Sequence, residues 1–224
     1  MARAKVVIGP IDAKNLIVVF CLMAAVEASL RLIPWHEGLS QLLLLGTSRL
    51  IEAALIIGVV LSVNSGLSVV GLRTGTVLSG FKRGLLWSGG FGGIVLLVFV
   101  FFRAMEIDPL SSIKTSLPLN MVDLILFFLV GGIISPITEE LFFRGVVYGF
   151  LRRWGAVPAV ILSSLAFALA HMNFTGFLFI QVAGGILFAL AYEVEKNLLV
   201  PITLHIMGNL AIFSISLFCV TPNA

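Results

Sequence analysis

Glu139 and Glu140 are adjacent in a stretch long and apolar enough to cross a membrane, and Arg144 follows four residues after the second, in Ser135-Pro-Ile-Thr-Glu-Glu-Leu-Phe-Phe-Arg144. An ionised carboxylate in hydrocarbon is costly, so a charge at such a position usually faces a protein interior and has a task there. Two later apolar segments carry further polar groups: His171, closing Phe167-Ala-Leu-Ala-His171, and His205 with Asn209, in His205-Ile-Met-Gly-Asn209. On a helix, Glu140 and Arg144 lie one above the other and should pair. Glu139 is rotated by about 100° and is left freer to act as a base. A carboxylate and a histidine that hold water, facing a histidine and a carboxamide that hold an oxyanion, would hydrolyse a peptide bond. Glu139, His171 and His205 are also ordinary zinc ligands, and zinc can itself activate water. The residues alone leave both routes open.

Taken singly, each of these groups has a plainer reading as helix packing or a structural ion pair. Their conjunction is what points to a site: of three histidines in the chain, two lie in membrane segments, each one turn from its partner Phe167 or Asn209.

The elements that must position them are helices. The chain has 224 residues, 59% hydrophobic and only 11% charged, about half the charged fraction of a soluble domain. Apolar runs of membrane-spanning length recur from end to end, and no hydrophilic stretch is long enough for a separate soluble domain. The pattern predicts an all-α, polytopic membrane bundle of about seven spans in a single domain, 1–224. The expected spans are 15–33, 39–63, 85–102, 121–151, 156–172, 176–192 and 198–220. A Gly/Ser-rich connection, 64–84, is expected to lie at the interface, and 103–120 reads as a polar loop. Pro136 should kink the fourth span beside Glu139. Glu27 with Arg31, and Arg49 with Glu52, share helix faces and should form packing salt bridges. Counted from one membrane face, Glu139 lies roughly 18 Å deep, His171 roughly 22 Å and His205 roughly 12 Å.

The basic N-terminal segment before the first apolar run reads as the flank of an uncleaved first helix rather than a secretory signal. With that terminus cytoplasmic, one side collects Arg3, Lys5, Lys14, Arg73, Lys82, Arg83, Arg152, Arg153 and Lys196, and the opposite loops hold Arg103 and Lys114. The formal charge of +3 is therefore assigned to orientation in a membrane, and no nucleic-acid partner is expected. Cys21 and Cys219 are expected to be small buried hydrophobes.

The three elements together resemble the CAAX-protease and bacteriocin-processing (CPBP, or Abi) family of intramembrane proteases. Its motifs Glu-Glu-x-x-x-Arg, Phe-x-x-x-His and His-x-x-x-Asn match here as Glu139-Glu140-x-x-x-Arg144, Phe167-x-x-x-His171 and His205-x-x-x-Asn209, in order, within a core of about 119–217. The resemblance implies that Glu139 with His171 activates water, that His205 with Asn209 holds the oxyanion, and that Glu140 and Arg144 support the site. It implies no certain cofactor, since both metal-dependent and glutamate-dependent mechanisms have been argued for the family. It implies a membrane protein or peptide as substrate, processed, matured or relieved of a C-terminal sorting signal.

Other protease designs are not supported. His36-Glu37-Gly-Leu-Ser40 is half of a His-Glu-x-x-His zinc motif, only Asp123 lies near a span where an aspartyl design needs two, and no Gly-x-Ser-x-Gly elbow occurs. Competing classes are a non-catalytic membrane immunity or regulatory protein and a small transporter using Glu139 and the histidines as a proton relay.

Overall fold

A computed structural model of the chain describes residues 11–32, 39–63, 66–112, 114–171 and 178–218. Among them there is no strand; seven helical rods account for the bundle, as the apolar pattern predicts. They are α1 (Ala13–Arg31), α2 (Leu39–Leu61), α3 (Val77–Ala104), α4 (Met121–Trp154), α5 (Ala156–Ala170), α6 (Leu178–Glu195) and α7 (Leu199–Phe218). Asp12 caps α1 by accepting from the backbone N–H of Asn15 at 2.7 Å, and Asn120 caps α4 through Val122 at 2.8 Å, each satisfying a donor the first turn cannot. Gly155, with φ of 113°, makes the break between α4 and α5. His36, Glu37 and Cys219 fall outside the described residues.

Three expectations need correction. The connection expected over 64–84 is, in its described residues 66–84, not a single element. It makes two short 3₁₀ turns, Gly66–Val70 and Thr74–Thr76, and then enters α3 eight residues earlier than expected. The glycines there do not weaken the helix into a loop because they bring it close to α7. A Cβ at Gly80 would lie 2.6 Å from Asn197, and one at Gly84 2.5 Å from Thr203, so only glycine allows this approach. Glu27 does not pair with Arg31. It reaches across to Arg49 of α2 at 2.9 Å, and Arg49 also holds Glu52 at 2.6 Å. The α1–α2 hairpin brings a better partner than the same helix face does. Cys21 is exposed, on an outer face of α1 where an apolar side chain is at home against lipid.

The rods are held end to end by polar ties that show which termini meet. Arg153 donates to the carbonyl of Ile11, Arg152 bonds Glu193 at 3.0 Å, and Asn197 donates to the carbonyl of Thr76 at 3.1 Å. The start of α1, the start of α3, the end of α4 and the α6–α7 turn therefore share one end of the bundle. Lys14, Arg73, Lys82, Arg83, Arg152, Arg153 and Lys196 all belong to that end. Large apolar side chains such as Leu86, Ile94, Leu97 and Phe101 are exposed along α3, as lipid contact requires.

Candidate active site

α4 carries the paired glutamates and is not wound uniformly. Two stretches, Val130–Ile134 and Leu141–Tyr148, take the wider i→i+5 winding, with the α-helical turn Ser135–Glu140 between them. Insertions of this kind concentrate at functional sites. The first explains how Pro136 is tolerated. Ser135 N–H bonds back to Val130, so the proline opens a fresh α-helical turn, where its missing N–H is no loss. The sequence marks the proline and not the extra residue that absorbs it.

Four helices then deliver their side chains to one place. Glu140 and Arg144, both wholly buried, pair at 2.8 Å. Arg144 also donates to the carbonyl of Gly185 on α6 at 3.0 Å. Its guanidinium carbon lies 4.6 Å from the centre of the Phe167 ring and 5.3 Å from that of Phe188, within cation–π range. His205 on α7 bonds Glu140 through Nδ1 at 2.9 Å and stacks on Phe188, with centroids 4.5 Å apart. The carboxylate accepts, so Nδ1 carries the hydrogen, and Nε2 is the nitrogen left to face the site.

Glu139 faces the other way from this braced group. Its Oε2 lies 3.3 Å from His171 Nε2 and 3.7 Å from His205 Nε2. His171 sits just past the end of α5, and its Nδ1 contacts the carbonyl of Phe167 at 2.8 Å. A carbonyl only accepts, so that nitrogen is the donor and Nε2 is again directed at Glu139. Two imidazoles, each oriented by a bond at Nδ1, thus converge with Nε2 on one carboxylate oxygen. Glu139 and His171 keep side-chain exposures of 18% and 27%, against none for Glu140 and Arg144, so the reactive pair lies on the accessible side. The three depths estimated from helix position differ by up to about 10 Å, yet the Nε2 atoms of the two histidines lie 3.3 and 3.7 Å from the Glu139 carboxylate.

Asn209 stands slightly apart. Its amide donates to the carbonyl of Gly131 at 2.9 Å, in the first wide turn of α4, leaving one N–H of the carboxamide for another acceptor. Sequence reasoning did not single out Phe188, the Gly185 carbonyl or Phe143, which packs edge-on to Phe167 at 5.2 Å. The spacing Gly185 to Phe188 near the middle of α6 was the available signal, one turn presenting a bare carbonyl and an aromatic face.

Glu139, His171 and His205 have the donor chemistry of a zinc site, but among the described residues no group of three or more His, Cys, Asp or Glu is placed to hold a metal ion.

Residues 121–211 match the family described as Type II CAAX prenyl endopeptidase Rce1-like. The match covers α4 to α7, the helices that carry the cluster, and bears out the resemblance read from the motifs. Curated relatives include the membrane-embedded CAAX protease MroQ of Staphylococcus aureus, 38% identical over 48% of this chain and 45% of its own length. The putative membrane peptidase YdiL of Bacillus subtilis is 30% identical over 62% of this chain and 55% of its own. The chain thus spans about half the length of the curated relatives it matches. No solved structure matches.

Proposed function

We propose that this chain is an intramembrane endopeptidase that hydrolyses a peptide bond of a membrane-associated or lipidated protein or peptide. The observation that carries the reading is the convergence of two Nδ1-anchored imidazoles on the Oε2 of Glu139 inside a bundle that includes five helices long and apolar enough to cross a membrane. In the reaction, Glu139 with His171 takes a proton from water as the water oxygen attacks the carbonyl carbon. His205, as an imidazolium whose Nε2–H donates while its Nδ1–H stays on Glu140, and the second amide N–H of Asn209 hold the oxygen that gains charge. The carbon–nitrogen bond then breaks, and the proton held by Glu139 passes to the leaving amine. Glu140 and Arg144 touch no substrate; they fix His205 and the winding of α4.

The relatives' names support processing of peptides near the membrane, with a C-terminal segment as the substrate class to try first. The end of the bundle rich in lysine and arginine is assigned to the cytoplasm of a bacterial cell, with the N-terminus on that side. The test is to map shortened and newly exposed peptide termini in membranes holding the wild type, Glu139→Ala or His171→Ala, with each variant's folding checked by thermal melting. Products that vanish in both folded variants support hydrolysis. Products undiminished in both overturn it. Cleavage by purified protein is expected to survive chelation; loss on chelation restored by zinc alone would replace this route with a metal-assisted one.

A further inference from the structure

α3 carries two kinds of glycine. Gly80 and Gly84 are needed for the close approach to α7, whereas a Cβ placed at Gly89, Gly90, Gly92 or Gly93 would meet nothing within 4 Å. Glycine inside a helix is destabilising relative to alanine, and no close approach within the protein offsets that at these positions. Beside Gly90, between α3 and α6, is a crevice of about 420 Å³, a volume typical of small-molecule sites. Leu86, Phe91, Ile94 and Leu187 make its walls apolar, and Arg83, Trp87 and Glu195 close one end.

That end is polar and already organised. Arg83 pairs with Glu195, and Trp87 Nε1–H donates to Glu195 at 3.3 Å. The carboxylate is thereby occupied, while the Arg83 side chain remains 39% exposed and a guanidinium has further N–H groups to offer. Lys82 is adjacent and exposed, and the whole end of the bundle is basic. An apolar trough capped by partly exposed cations fits an amphiphile with an anionic head.

We propose that the crevice binds an anionic glycerophospholipid, with one acyl chain along Gly90 between α3 and α6 and its phosphate at Arg83. Charge complementarity favours this over a second copy of α3, which would bring Arg83 against another Arg83 or leave the crevice unfilled. Glu139 and the two histidines are not among the residues that line the crevice, although Trp87 and Leu187 pack against the Phe143, Phe167 and Phe188 cluster, and the proposal does not depend on the protein being a peptidase.

Trp87 provides the probe. The chain has three tryptophans, so the full-length W35F/W154F variant reports from the crevice alone. It is reconstituted in vesicles containing phosphatidylglycerol or phosphatidylcholine brominated on the acyl chains. At equal bromine content, the glycerol lipid is expected to be preferred roughly fivefold at Trp87, the scale set by one basic residue at a membrane surface. Gly90→Leu, which fills open space and should leave the melting temperature unchanged, is expected to abolish the preference; Arg83→Gln and Lys82→Gln should each reduce it. Equal quenching by both lipids would mean annular contact only and would overturn the site. So would a preference that persists in Gly90→Leu. A Gly93→Cys cross-link between copies that forms in the anionic vesicles would give the face to a dimer and overturn it too.

Discussion

Glu27, Arg49 and Glu52 form an ionic cluster within α1 and α2, just as Glu139, Glu140 and Arg144 do with the two histidines within α4 to α7. Both put carboxylates and an arginine into membrane-length helices, and both include a wholly buried glutamate. The first is mostly self-paired: Arg49 divides its guanidinium between two carboxylates at 2.9 and 2.6 Å, and it meets the second where its backbone carbonyl accepts from Thr138 at 2.9 Å. The second is not so fully paired. Glu140 absorbs Arg144 and one nitrogen of His205, and this leaves Glu139 facing two imidazole nitrogens, with no lysine or arginine of the described residues within salt-bridge range. Charge in the membrane is therefore not the mark of the site. The mark is a set of acceptor and donor atoms held together on one accessible side by a neighbouring buried ion pair.

The largest effect that sharpens this contrast is on Glu139 and His171. Glu139→Ala or His171→Ala should reduce cleavage by about 10²–10⁴-fold with little change in melting temperature, because both side chains are partly exposed. Equal losses from Arg49→Gln would erase the distinction. Glu140→Gln should act on folding as well as rate. It leaves the buried Arg144 without its counter-charge, at about 3–5 kcal/mol, measurable by thermal melting in detergent; a melt like that of the wild type would remove the brace from the argument.

Asn209→Ala comes next and separates two roles. As an oxyanion donor, its loss should lower kcat by about 10²–10³-fold, read in a turnover assay. A change of less than tenfold would leave it as a tie between α7 and Gly131. Arg49→Gln should cost about 1–3 kcal/mol by stranding the buried Glu52 carboxylate, with cleavage per folded molecule nearly unchanged. Glu27→Gln should cost less than about 1 kcal/mol, because Glu27 is 44% exposed. Cleavage assays normalised to folded protein read both.

Much of the fold was legible because a bilayer leaves so few solutions. Long apolar runs without strand punctuation can only be helices there, and the expected spans fall on the observed rods. The error at α3 came from treating glycine and serine as a loop signal, when Gly80 and Gly84 are contacts with Asn197 and Thr203 that no local pattern reveals. The Glu27–Arg31 expectation failed for a related reason, since spacing on one helix says nothing about a better partner on the next. At the site, the pairing of Glu140 with Arg144 followed from a separation of four residues, and it survives even though α4 widens just beyond Glu140. The widening itself, and the burial of Arg144 between Phe167 and Phe188, were not legible.

The sequence by itself determined that this chain is a helical membrane bundle and which polar residues lie in its spans, because hydrocarbon penalises every unpaired polar group and so makes each one conspicuous. It also gave Glu139 and Glu140 different neighbours, since a single residue of rotation turns them to different faces. Tertiary structure alone decided that His171 and His205 reach the same oxygen, that their Nδ1 atoms are anchored to Phe167 and Glu140, and that Asn209 is engaged with Gly131. Apart from the His171–Phe167 contact, which spans four residues at the end of one helix, those are distances between helices, and a one-dimensional pattern contains none of them.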